Sequence, residues 1–365
     1  MTRNELTRSR LLAHARVYPD LRIEDIFKFL FQSALGCEHL VASEARAVAY
    51  IRQELTAQSD APSAAQSAAP RTEGLDGDYC RVHFSWLQEG LRPETLGRLF
   101  CRSAKTEPAG RKALIQKLAV AQEMLREGLL PFTSEAFDCE LALWREQDYP
   151  AIHHSEAFRN AYRPAYRVVA REYAELLPLL IRIDRKVTEG KPFVLAIEGG
   201  SAAGKTTLAA LLSELYDCNI FHADDFFLRP EQRTPARLAE IGGNLDRERL
   251  LEEVLTPTRR GETVCYRPFD CSTQSLGEAV TVPPKTMTVV EGAYSMHPLL
   301  EPCYDLSVLL DIDPAYQRER ILHRNSPAFA KRFFEEWIPM EERYKAHTRV
   351  RERCDVVIRI GDGDA

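Results

Sequence analysis

The stretch Gly199-Gly200-Ser201-Ala202-Ala203-Gly204-Lys205-Thr206 decides how the second half of this chain is read. It follows the pattern Gly-x-x-x-x-Gly-Lys-Thr and lies between an apolar run at 193–197 and a helical run carrying Leu208, Leu211, Leu212 and Leu215. Strand, glycine-rich turn and helix in that order make a phosphate cradle, or P-loop. The glycines let the backbone turn tightly and aim its N–H groups at phosphate oxygens. A helix opening near Lys205 adds the positive end of its dipole. Lys205 is suited to bridge the terminal phosphates of a nucleotide, and the Thr206 hydroxyl to ligate Mg²⁺. The expected nucleotide contacts are the eight residues of the motif and Thr207 after it.

Outward from the cradle, short apolar runs at 193–197, 219–224, 286–291, 306–313 and 355–360 alternate with helical ones. Such runs read as strands buried on both faces, hence a parallel sheet flanked by helices. Toward the N-terminus the pattern changes. Ile23, Ile26, Phe27, Leu30, Phe31 and Leu35 recur at helical spacing, as do Val48, Ile51 and Leu55. Further helical runs cover 91–100, 113–129 and 134–146, while residues 57–74, rich in Ala, Ser, Pro and Gln, read as a flexible loop. The expected organisation is a mostly α-helical domain over 1–165, a connecting helix over 166–190 and a P-loop NTPase α/β domain over 191–365.

With 365 residues, 45% hydrophobic and 28% charged, the chain has the composition of a soluble two-domain protein. A net charge of −6 argues against a nucleic-acid binder relying on a basic surface. Nine scattered cysteines without Cys-x-x-Cys spacing read as reduced thiols, and the first residues lack an apolar signal core. No membrane association and a cytoplasmic location are expected; a homo-oligomer stays open. Cys37-Glu38-His39 and His153-His154 lack the further ligands a metal site needs.

Two acids narrow the chemistry. The run 219–224 ends in Asp224-Asp225, and the run 286–291 ends in Glu291. In parallel sheets the ligand lies beyond the carboxyl ends of the strands, so both ends face the cradle. Thr206, Asp224 and Glu291 together form an oxygen-donor set suited to Mg²⁺. Asp224 is also suited to orient an attacking hydroxyl and take its proton late.

In order, I-E-G-G-S-A-A-G-K-T-T, H-A-D-D-F-F-L, G-G-N-L-D-R-E-R-L, V-V-E-G-A-Y and D-I-D-P-A-Y-Q-R-E-R-I-L-H-R-N make residues from about 192 to 360 resemble the phosphoribulokinase/uridine kinase family of P-loop kinases. The resemblance implies transfer of the ATP γ-phosphate to a hydroxyl of a small molecule, with ATP and Mg²⁺ as cofactors. It implies Asp224 as base, Glu291 as second acid, Asp246 as a substrate-binding carboxylate, and an arginine lid carrying Arg320 and Arg324. Guanidinium groups closing over the triphosphate would neutralise developing charge and exclude water. Arg318, Lys331 and Arg332 lie near the same lid in sequence.

The chain departs from the family where uridine kinases carry an aromatic-Asp-x-x-x-His segment. Here Phe269 and Gln274 stand for the usual tyrosine and histidine. These changes argue against uridine, and Arg267, Asp270, Ser272, Thr273 and Gln274 form a strongly polar set that suits a polyol, a sugar, or a polar amino- or carboxy-bearing acceptor. Asp225, Tyr294 and His297 are further acceptor-site candidates. The alternative function is a P-loop ATPase or regulatory switch with no small-molecule acceptor. Asn-Lys-x-Asp and Leu-Ser-Gly-Gly-Gln signatures of GTPases and transport ATPases are absent from the sequence.

Overall fold

The computed structural model describes residues 2–37, 43–59, 70–104 and 109–361. The chain splits into two compact units, Met1–Ile181 and Arg182–Ala365.

The first unit is built from helices α1 (Arg3–Val17), α2 (Ile23–Leu35), α3 (Glu44–Ser59), α4 (Pro93–Ser103), α5 (Ala109–Arg126), α6 (Ser134–Glu146) and α7 (Glu156–Tyr162). Thr2 opens α1 through a capping box with Glu5, satisfying N–H groups that a helix start leaves bare. The apolar stripe of α2 buries Ile26, Phe27 and Leu30, and Phe27 stacks on Trp144 of α6 with ring centroids 4.9 Å apart.

This unit also contains an antiparallel sheet of β1 (Thr72–Gly74), β2 (Tyr79–His83) and β3 (Tyr166–Ala170), in that order. Two expectations change here. The connecting helix over 166–190 begins instead as strand β3, and helix α8 covers Leu177–Glu189. Val169 and Tyr173 stand four apart, the spacing of one helix face, and the pairing of 166–170 with β2 overrides it. Of the loop expected over 57–74, residues 60–69 lie outside the described residues, and 72–74 are β1. That strand escapes an apolar-pattern reading because its inward residue is Glu73. The register sets Glu73 opposite Arg81 of β2, and their side chains meet at 3.0 Å while His14 closes on the other oxygen at 2.6 Å. His154, one of the adjacent histidines, bonds Asp25 at 2.8 Å and Tyr166 at 2.6 Å. Glu38 and His39 lie outside the described residues.

The second unit is a five-stranded parallel sheet in the order β12-β11-β4-β10-β5. The strands are β4 (Phe193–Gly199), β5 (Cys218–His222), β10 (Met287–Glu291), β11 (Leu306–Ile312) and β12 (Val356–Ile360). All seven residues of β4 are buried, as a central parallel strand covered on both faces requires. Helix α9 (Lys205–Leu215) buries Leu208, Leu211, Leu212 and Leu215, the stripe read from sequence. Between β5 and β10 two small antiparallel pairs protrude: β6 (Val264–Tyr266) with β9 (Val280–Val282), and β7 (Phe269–Asp270) with β8 (Ser275–Leu276). Helices α10 (Pro314–Arg324), α11 (Pro327–Arg332) and α12 (Ile338–Thr348) follow β11. Among the described residues no helix is long and apolar enough to cross a membrane.

Candidate phosphate-transfer site

The cradle forms as its residue types require. β4 runs to Gly199, the chain turns over 200–203, and α9 begins at Lys205. Gly204 has φ of 100°, a left-handed conformation that side-chain-bearing residues rarely adopt, and this turns the first N–H groups of α9 inward. Lys205 Nζ donates to the Gly200 carbonyl at 3.0 Å, folding the lysine back over the loop.

The tip of the loop is clasped by two side chains that motif reading misses. The Ser201 N–H and hydroxyl both donate to Glu341 of α12, at 2.9 and 2.6 Å, and Gln317 of α10 donates to the Ser201 carbonyl at 2.8 Å. A side chain at Gly200 would start 3.1 Å from Gln317 Nε2 and 3.2 Å from Glu341 Oε2, so this glycine serves the clasp as well as the turn. Burial pushes the Glu341 pKa up, against the two Ser201 hydrogen bonds. Nothing in the local sequence marks Glu341, which sits in an ordinary Glu/Arg-rich helix.

Strand order delivers the acids. β10 lies between β4 and β5, and its last residue, Glu291, is in register with Ile197 and His222. Glu291 Oε1 accepts from the Thr206 hydroxyl at 2.9 Å and meets His222 Nδ1 at 2.6 Å. Burial raises the Glu291 pKa, but the bonds from His222 and Thr206 and the charge of Lys205 outweigh it and leave the carboxyl lowered. The bond to Glu291 raises His222 in turn. β5 stops at His222, two residues before the expected end, and a 3₁₀ turn over Ala223–Phe226 carries Asp224 forward. Asp224 lines a cavity with the protein packed closely around its carboxyl. That desolvation raises its pKa, with Glu291 adding and Lys205 opposing.

Beneath these groups Glu198 is 2% exposed and accepts N–H bonds from Gly199, Tyr294 and Met296 and the hydroxyl of Tyr344, at 2.8 to 3.3 Å. One buried carboxylate thus ties the start of the loop, the turn after Glu291 and α12 together. Burial raises its pKa against these donors.

A cavity of about 850 Å³ joins the site. Ser201, Ala202, Gly204, Lys205, Thr206 and Thr207 line it from the cradle, Asp224 and Glu291 from the strand ends, and Arg320 and Arg324 from α10. Of the expected acceptor residues, Ser272, Gln274 and Tyr294 line it. The others are spent elsewhere. Asp246 is 2% exposed, caps the short helix Arg247–Arg249 and accepts from Gln232 at 2.8 Å. Asp225 accepts from Tyr266 at 3.3 Å. Arg267 braces the protruding hairpin through the Gly277 and Leu276 carbonyls, and Asp270 closes a turn on Ser272. His297 contacts Arg247 at 3.5 Å outside the cavity lining. Arg318 lies over the Phe334 ring, and Lys331 and Arg332 pair with Glu335 and Glu336. Sequence reading misses Arg233, Asn244, Phe333 and Trp337, all of which line the cavity.

No family model and no curated protein matches the chain. Solved structures that it resembles include a possible uridine kinase from Bacillus stearothermophilus, 23% identical over 50% of this chain and 99% of that one, with a TM-score of 0.38. Another is a candidate fructose transport system kinase from Silicibacter sp. TM1040, 20% identical over 47% of this chain and 95% of that one, with a TM-score of 0.34.

Proposed function

We propose that the second unit is an ATP-dependent phosphotransferase that moves the γ-phosphate of ATP to a hydroxyl of a small nucleoside-, sugar- or polyol-like molecule. The observation that carries this reading is the meeting of Thr206 and Glu291 at 2.9 Å, on one cavity with Lys205, Asp224, Arg320 and Arg324. The hydroxyl and carboxylate are hard oxygen donors of the kind Mg²⁺ takes, and with Asp224 they would hold it. When bound, Mg²⁺ would offset phosphate charge.

The chain's own groups supply the rest. N–H groups at the start of α9 bind the β- and γ-phosphates, and Lys205 swings from the Gly200 carbonyl to the terminal oxygens. Arg320 and Arg324 spread charge from the transferring phosphoryl group and keep water from competing with the acceptor. Asp224 orients the acceptor hydroxyl and receives its proton as the new P–O bond forms.

The test is Asp224→Asn, assayed for ATP binding and for acceptor-dependent ADP release across a panel of hydroxyl compounds. Transfer should fall by roughly 10²- to 10⁴-fold while ATP binding stays near wild type. Transfer at the wild-type rate would move the base role to another residue. Turnover indifferent to every acceptor would favour a nucleotide switch.

A further inference from the structure

Residues 225–249 carry five arginines, and four of them are neutralised. Arg229 pairs with Glu231 at 3.2 Å, Arg237 with Glu248 at 2.6 Å, Arg247 with Glu240, and Arg249 with Glu253 at 3.0 Å. Arg233 is the exception: among the described residues no carboxylate lies within ion-pair distance of it. Yet its guanidinium is held in place. Nε donates to the Leu228 carbonyl at 2.9 Å, Nη1 donates to Gln274 Oε1 at 2.7 Å, and the plane lies over the Phe269 ring at 5.6 Å. Among the described residues Nη2 has no hydrogen-bond partner.

Gln274 is held as firmly. Its backbone has φ of 56°, left-handed and unusual for a residue with a side chain, and its Nε2 donates to the Cys271 carbonyl at 2.6 Å. Both amide ends are therefore used, one of them to aim Arg233. Both residues line the cavity, together with the neutral hydrogen-bonding groups of Asn244 and Ser272. The other cations there have different attachments. Lys205 lies on the phosphate loop, Arg320 and Arg324 on the lid helix, and Arg332 is paired with Glu336 at 3.2 Å.

We infer that the acceptor is a hydroxyl compound that also carries an oxyanion, a carboxylate or a phosphate ester, and that Arg233 reads this group while Gln274 positions the guanidinium. This deepens the kinase reading and rests on it. A planar guanidinium with a free edge matches the paired oxygens of either anion, and such charge-assisted bonds are about twice as strong as neutral ones. A neutral nucleoside or polyol would leave a partly desolvated cation without a counter-charge, which costs affinity.

Cys271 gives a readout that needs no phosphoryl transfer, because it is an exposed free thiol on the same cavity wall. Its alkylation in the full chain is followed by peptide mass spectrometry with glycerol, glycerate and glycerol 3-phosphate, then with ribitol, ribonate and ribose 5-phosphate. The anionic members should slow alkylation at concentrations where the neutral members do not. Arg233→Gln should raise the half-protecting concentration about tenfold or more. Arg233→Lys should fall between, since it keeps the charge and loses the fork. Stronger protection by the glycerate and ribonate pair assigns a carboxylate, and by the phosphate esters a phosphate. Equal protection by neutral and anionic members, protection unchanged in Arg233→Gln, or protection by neither class overturns the inference. ADP release is read in the same mixtures. Anion-selective protection without acceptor-dependent ADP release keeps the oxyanion site and removes the kinase reading. Acceptor-dependent release with neutral polyols alone keeps the kinase reading and removes this one.

Discussion

Each unit of the protein contains a histidine whose Nδ1 lies 2.6 Å from a glutamate Oε1: His14 with Glu73 in the first, His222 with Glu291 in the second. The bonds are alike, but the titrations run in opposite directions. The His14 side chain is 0% exposed, and burial lowers its pKa despite the attraction of Glu73, with Arg81 adding to the lowering. The His222 side chain is 42% exposed, and the bond to Glu291 outweighs desolvation and raises it. The difference is access to water and prior neutralisation. Glu73 already has a fully buried arginine on its other oxygen, so a second cation beside it gains little. Glu291 has only the neutral Thr206 hydroxyl beside His222, on the same oxygen, and the site opens into the cavity. The same pair of residue types is structural in one unit and electrostatically poised in the other.

The contrast can be broken most sharply at the cradle. Lys205→Ala should lower ATP-dependent transfer by roughly 10²- to 10³-fold, while thermal unfolding of the chain stays close to wild type. Near-normal turnover would sink the assignment of the second unit. Arg81→Met should do the reverse. It leaves Glu73 charged and buried beside a neutral histidine, so the first unit should lose about 3–5 kcal/mol in denaturant unfolding with little direct effect on the phosphate site. A loss below about 1 kcal/mol, the size of an exposed pair, would show that the network is not the buried ion system described here.

The smallest effect is in pH. His14 is lowered, His83 is lowered to about 4 and His154 to about 3, all chiefly by burial. For such groups the unfolded chain binds more protons below the ordinary value of 6.5. Stability of the first unit is therefore full above that pH and declines as pH falls toward the folded values. His222 has the opposite sign: its contribution is present below 6.5 and fades as pH rises through its raised value. Histidine NMR titration and amide exchange in each unit would check both signs. A His14 that titrates above 6.5 would overturn the comparison.

Much of the second unit is legible in sequence because its cues are local. Five apolar runs match the five strands within two residues, and the glycine-lysine-threonine turn falls between β4 and α9 as expected. Asp224 and Glu291 are legible because parallel strands end at one edge of a sheet. The first unit is legible only in its helices. β1 buries a charged residue, and β3 shares its spacing with a helix, so apolar periodicity finds neither.

The sequence by itself determined the cradle, the sheet that carries it and the two acids beside it. Backbone turns, strand burial and strand ends are properties of short segments. Tertiary structure alone decided the clasp of Ser201 by Glu341, 140 residues away, and the aiming of Arg233 by Gln274, 41 residues away. It also decided that Asp246, Arg267 and Asp270 brace the fold outside the cavity lining. Such pairings depend on which side chains meet after the segments pack, and the pattern of polar residues along the chain is the same whether a polar group faces a ligand, a backbone carbonyl or water.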